Sequence, residues 1–140
     1  MAAAAEAAVR QAAAAFHEAL NAMLAGDPAP MAAVWSHADD VIYMGPDGAV
    51  RIGWDQVRAS WQTQAAMRLG GELRPAETRV VLGEDLAITH GYIRGHNLDA
   101  HGTRREVSIR ETNLFRKEDG AWKMVANHSD PLPFLRPQAL

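Results

Sequence analysis

The chain has 140 residues, with 14 Lys and Arg against 17 Asp and Glu, a formal charge of −3 and a pI near 6.0. That length suits one domain spanning 1–140, and the acidic balance excludes general nucleic-acid binding, which needs a basic face. The absence of cysteine excludes disulfides and thiolate chemistry, and no apolar run approaches the roughly 18 residues of a membrane span.

The opening "MAAAAEAAVRQAAAAF" is alanine-rich, but Glu6 and Arg10 interrupt it and no basic segment precedes it. It reads as helix rather than signal peptide, so the cytoplasm is expected by default. Val9, Ala13, Phe16, Leu20 and Met23 recur at helical spacing, which predicts a helix over 3–25 ending at Gly26. Asp27-Pro28 restarts a short helix, with Val34 and Trp35 at its buried end. "VIYM" (41–44) and "AVRI" (49–52) read as short strands around the turn "GPDG". Gly53 opens a third helix that carries Trp54, Val57, Trp61 and Ala65 on one side, and Gly70-Gly71 closes it. Strands follow at 72–82, 86–98, 104–116 and 121–129. Their short separators, Gly83-Glu84-Asp85, a loop around His101-Gly102, and Asp119-Gly120, demand an antiparallel meander. Three prolines keep the tail "DPLPFLRPQAL" out of a central strand. Helices first and strands after is an α+β order.

Register then predicts a site. A two-residue Asp119-Gly120 turn sets Phe115 opposite Met124, Asn113 opposite Ala126 and Glu111 opposite His128. An even-length loop around His101-Gly102 places Glu111 and Asn113 on the face of His90, Tyr92 and Arg94. Gly91, Ile93 and Gly95 fall on the other face, where the glycines let the strand bend. One concave wall would then carry a polar layer among apolar residues. Such groups cost about 1–3 kcal/mol each if buried unpaired, so they bond each other, water or a ligand. A few convergent polar groups on an apolar wall describe a small-molecule pocket.

The expected roles follow from chemistry. His128 oriented by Glu111, or His90, would transfer protons near neutral pH. Arg94 and Asn113 would hold an anionic or carbonyl oxygen, and the fork of Arg94 suits a small carboxylate. Tyr43 and Tyr92 would reach the rim with their hydroxyls. Two plainer readings stand beside these: Glu111–His128 as an internal hydrogen bond, and Arg94 as a neutraliser of Glu111. His17, His37, His96 and His101 read as solvated. Trp35, Trp54, Trp61 and Trp122 read as packing, with Trp122 facing the helices. No metal or cofactor is expected, because neither a His-x-x-x-His spacing nor a phosphate loop occurs.

Three stretches resemble the SnoaL-like branch of the nuclear transport factor 2-like superfamily: "FHEALNAMLAGD", "YMGPDGAVRIGWDQVRASW" and "RETNLFRKEDGAWKMVANHSD". The matching features are Gly26-Asp27, the helix start from Gly53 to Val57, Asp119-Gly120-Ala121-Trp122-Lys123 and His128-Ser129. The resemblance implies a cone-shaped half-barrel with a long N-terminal helix lying across a curved, mostly antiparallel sheet. It also implies a homodimer paired through the sheets, for which the face of Ser108, Thr112 and Leu114 is suited. Tyr92-Ile93-Arg94 and Glu111-Thr112-Asn113 are similar to the association domain of calcium/calmodulin-dependent kinase II, which implies Arg94 inside a pocket. Asn113 and Ser129 stand where that pocket has further arginines. Ketosteroid isomerase shares the fold, but its base position falls near Met44 and its helix-borne tyrosine near Ala19, so its catalytic set is not implied. The expected function is small-molecule binding in the cone, with general acid–base chemistry as its enzymatic form. The alternative is a non-catalytic association or ligand-sensing module.

Overall fold

The computed structural model describes residues 2–132. In chain order it contains α1 (Ala2–Leu24), α2 (Ala29–Val34), β1 (Ile42–Met44), β2 (Val50–Ile52), α3 (Trp54–Met67), β3 (Glu72–Leu82), β4 (Leu86–Leu98), β5 (Arg104–Glu118) and β6 (Ala121–Pro131). The six strands form one sheet in the order β2-β1-β6-β5-β4-β3. All neighbours are antiparallel except β1 and β6, which run parallel. The result is an α+β fold, with helices packed on one face of an unclosed, curved sheet.

The predicted face of α1 is buried through Val9, Ala13, Phe16, Leu20 and Met23. The helix ends in a turn in which the Gly26 amide donates to Met23 O and the Asp27 amide to Ala22 O. Asp27 then caps the next helix, accepting from the Ala29 amide at 3.0 Å. Asn21 ties α1 to the edge of the sheet, since its side chain both donates to Leu73 O and accepts from the Leu73 amide. Trp35, Trp61, Phe115 and Met124 close the core behind it. Trp122 is only half-buried at its border, where expectation made it a core residue. It lies in the second pair from the hairpin turn, opposite Lys117, whose ammonium sits over its ring at 6.0 Å.

Two connections decide which side chains face the helices. Asp119 and Gly120, both at positive φ, make the expected two-residue turn between β5 and β6. Phe115 meets Met124 as predicted, but a bulge at Val125 then slips the register, so Leu114 pairs with Ala126, Asn113 with Asn127 and Glu111 with Ser129. The β4–β5 loop has odd length, running from Asp99 to Thr103. Asp99 builds it by accepting from the amides of His101 and Thr103 at 2.8 and 2.9 Å. Glu111 therefore pairs with Gly91 and Asn113 with Thr89.

Close backbone approach also explains the glycines of β4. A Cβ on Gly91 would lie 2.9 Å from Ala76 O, and one on Gly95 would lie 2.0 Å from Glu72 O. They admit β3, whose register shifts between Ala76 and Arg79. Strand β6 continues two residues past its predicted end, with Pro131 opposite Ile109. Proline is tolerated there because β1 pairs with β6 only at Ala126, Asn127 and His128. The predicted non-strand tail lies outside the described residues from 133 onward.

Candidate functional site

The two register changes sort the predicted site residues into two groups. Glu111 and Asn113 point toward the helices, as expected, and are 5% and 0% exposed. His90, Tyr92 and Arg94 fall on the opposite, outer face, because a loop of odd length reverses the parity of β4 against β5. His128 falls on that outer face as well, displaced by the bulge at Val125, and it is exposed. His128 sits across from Thr112, not Glu111. Arg94 pairs with Glu77 at 3.6 Å and lies over the Tyr92 ring at 4.7 Å, far from its predicted partner. His90, Tyr92, His128 and the paired Arg110 and Asp130 instead border a polar hollow of about 450 Å³ on the outer face.

The inner face holds a different constellation. Between α1, α3 and the sheet lies a cavity of about 390 Å³. Phe16 and Leu20 wall it from α1, Trp61 from α3, Ile93 from β4, and Val107 and Ile109 from β5. Among the described residues, none of the side chains lining it is Lys, Arg or His. The carboxylate ligand expected from Arg94 thus has no cation to meet there. Exposed Glu106, paired with Arg104, stands at its open side.

The polar groups gather toward the inner end. Along β5 the inward residues are Val107, Ile109, Glu111, Asn113 and Phe115, so Glu111 lies one position deeper than the last wall residue. A hydrogen-bond chain crosses three strands at this level. Ser129 Oγ donates to Asn127 Oδ1 at 3.3 Å, Asn127 Nδ2 to Asn113 Oδ1 at 2.5 Å, and Asn113 Nδ2 to Thr89 Oγ1 at 3.4 Å. Asn113, expected as a ligand contact, is thereby committed to its neighbours, while Asn127 and Ser129 line the cavity.

Glu111 has a partner that sequence reasoning missed. His17 of α1 is 6% exposed, and its Nε2 lies 2.5 Å from Glu111 Oε1. The signal was present: His17 stands four residues after Ala13, three before Leu20 and seven before Leu24, all buried. The second carboxylate oxygen, Glu111 Oε2, is buried and has no hydrogen-bond partner among the described residues.

Tyr43 is the predicted ligand residue that does border the cavity. Strand β1 carries it beside Asn127 of β6. Its ring stacks on Trp61 with centroids 4.5 Å apart, and its hydroxyl accepts from Gln64 Nε2 at 3.3 Å. Burial raises its pKa, against the smaller opposing effect of the Gln64 hydrogen bond, so the phenol keeps a proton to donate. Gly45 makes room for it, since a Cβ there would lie 2.6 Å from the Tyr43 hydroxyl. Among the described residues no three His, Asp or Glu side chains converge as a metal site. Among the described residues no helix is long and apolar enough to cross a membrane.

The SnoaL-like domain family matches residues 9–132. No curated protein matches the sequence. Among solved structures, the chain is similar to a nuclear transport factor 2-like superfamily protein from Salmonella enterica serovar Typhimurium. The TM-score is 0.83 at 13% identity, with 94% of this chain and 93% of that one covered. A candidate dehydratase of the same superfamily from Streptomyces avermitilis gives 0.81 at 22% identity, covering 93% and 97%. The association domain of calcium/calmodulin-dependent kinase II from C. elegans gives 0.71 at 16% identity, covering 91% and 98%. At these identities the likeness concerns the fold, helices on an unclosed curved sheet.

Proposed function

The chain belongs to the SnoaL-like family, and on that premise we propose that it binds a small, largely apolar molecule in the cavity between α1, α3 and the sheet. The observation that carries this reading is the cavity itself: about 390 Å³, walled by Phe16, Leu20, Trp61, Ile93 and Ile109, with the hydroxyls of Tyr43 and Ser129 on its surface. Apolar walls with few fixed polar groups suit a small organic ligand. Glu111 and His17 form a buried pair one position beyond the cavity wall, in which His17 holds Oε1 and orients the carboxyl group. This pair replaces the expected one of Glu111 with His128, and it gives His90 no part.

A thermal-shift screen of neutral ring compounds tests the binding reading. Compounds that bind raise the melting temperature by mass action. The shift should vanish in Ile109→Trp, whose indole fills the cavity. No shift with any ring compound, or a shift that survives in Ile109→Trp, would refute the reading.

A second reading concerns assembly. The outer face of the sheet carries no helix, and Ile88, Tyr92 and Leu114 are half-buried there between the Arg110–Asp130 and Arg94–Glu77 pairs. The similarity to an association domain supports pairing of two copies through this face. Sedimentation at micromolar concentration should show a dimer, and Leu114→Arg should dissociate it. A monomeric parent protein would remove this reading and leave the first untouched.

A further inference from the structure

The strand pairings set the outer face of the sheet in rows. Ile52, Ile42, Ala126, Leu114, Ile88 and Val81 lie side by side from β2 to β3, and every one is apolar. Ile52 and Val81, at the two ends, are each 55% exposed. Two residues away along each strand, the next row reads Val50, Met44, His128, Thr112, His90 and Arg79. At a strand spacing of about 4.8 Å the six-stranded face is roughly 24 Å wide, and β4 from Leu86 to Arg94 makes it roughly 27 Å long. That footprint matches in scale the roughly 800 Å² that each partner of a stable complex buries.

The charges of this face largely cancel within the chain, Glu77 against Arg94 at 3.6 Å and Asp130 against Arg110 at 3.0 Å. Arg79, His90 and His128 share a hollow with these groups and with Tyr92, and among the described residues their side chains have no acidic partner. From β1, Met44 faces His128. Glu111 turns to His17 on the other face.

We infer that a second copy of this chain seats on the apolar row, and that protonation of His90 and His128 releases it. The inference rests on the assembly reading above and adds its regulation. Closing a second sheet over the histidines takes them out of water, which disfavours their charged form. The charge without a counter-ion beside them, Arg79, has the same sign and opposes protonation further. Exposed histidine takes up its proton near pH ~6.5. Below that pH the separated copies hold more protons than the pair, so association weakens as the pH falls.

Sedimentation equilibrium of the full chain at pH ~8 and pH ~5.5, on either side of the histidine range, tests this. The dissociation constant should rise at least about tenfold on acidification. The double variant His90→Asn with His128→Asn, at two exposed positions, should pair at both pH values with a change of less than about twofold. His128→Lys, charged at both, should pair more weakly than the parent already at pH ~8. A parent dimer of equal strength at the two pH values, a double variant that keeps the parent's full pH dependence, or a lysine variant as tight as the parent would overturn the inference and leave the dimer in place. A monomeric parent at pH ~8 would overturn the assembly reading together with it.

Discussion

The pair of His17 and Glu111 makes a stability prediction that can be worked from its geometry. Both residues are buried, and their side chains meet at 2.5 Å with Glu111 Oε2 already unpartnered. His17→Leu leaves neither carboxyl oxygen paired. Removing one partner of a buried charged pair costs about 3–5 kcal/mol. Glu111→Leu leaves an imidazole nitrogen unpaired in the same place, a cost of about 1–3 kcal/mol. The double variant, with two apolar side chains packed against each other, recovers much of the loss, because neither residue leaves an orphan. The coupling energy is then about 2 kcal/mol or more, well above the roughly 0.5 kcal/mol within which independent sites add. At a urea slope of about 2 kcal/mol per molar, His17→Leu should lower the midpoint by about 2 M. Urea titrations of the four proteins, followed by tryptophan fluorescence, measure the cycle. Additive losses would show that the two side chains do not interact, and the inner face would have to be assigned again.

Phe115 and Trp122 should separate by burial. Phe115→Ala, at a fully buried position, should cost about 3–5 kcal/mol, and Trp122→Ala, half-buried, about half of that, both read from urea midpoints. Asp40 accepts from Arg116 at 2.7 and 3.1 Å, and that hydrogen bond holds its carboxyl below the usual 3.8. A depressed folded value means the stabilisation is present above pH 3.8 and is lost as the pH falls through the lower folded value. The midpoint difference between the parent and Arg116→Met should therefore shrink between neutral pH and pH ~3. Tyr43 has the opposite sign. Burial holds its phenol above the usual 10.0, so its contribution is present below pH 10.0 and is lost as the pH rises through the higher folded value. Tyr43→Phe should flatten that alkaline limb, measured as midpoints at pH ~9 and ~11.

Much of this fold was legible in local signals. The apolar spacing of α1, the Asp119-Gly120 turn and the apolar alternation of β5 each carry their own evidence, and the structure bears them out. The parity of β4 and of the end of β6 was harder, because a single residue reverses every side chain beyond it. The bulge at Val125 has no strong local signature. The loop from Asp99 does have one: an aspartate two residues before His101 and four before Thr103, placed to accept from both amides. Reading "DAHGT" as an aspartate-capped loop would have put His90, Tyr92 and Arg94 on the outer face from the start. His17 was missed for another reason. The buried stripe of α1 is broad enough to include Ala13, His17 and Leu24 beside the narrower row through Phe16, and the apolar spacing alone marks only that narrower row.

The central claim is that the inner cavity, and not the outer face, is where a ligand binds. Nuclear magnetic resonance of methyl-labelled protein titrated with 2-naphthol tests it most directly. Leu20, Ile93, Val107 and Ile109 line the cavity, whereas Val50, Ile52, Val81 and Leu86 are exposed away from it. The account predicts saturable shifts of the first set and unchanged positions for the second. Saturable shifts confined to Val81, Leu86 and their outer-face neighbours, with the cavity methyls unmoved, would contradict it.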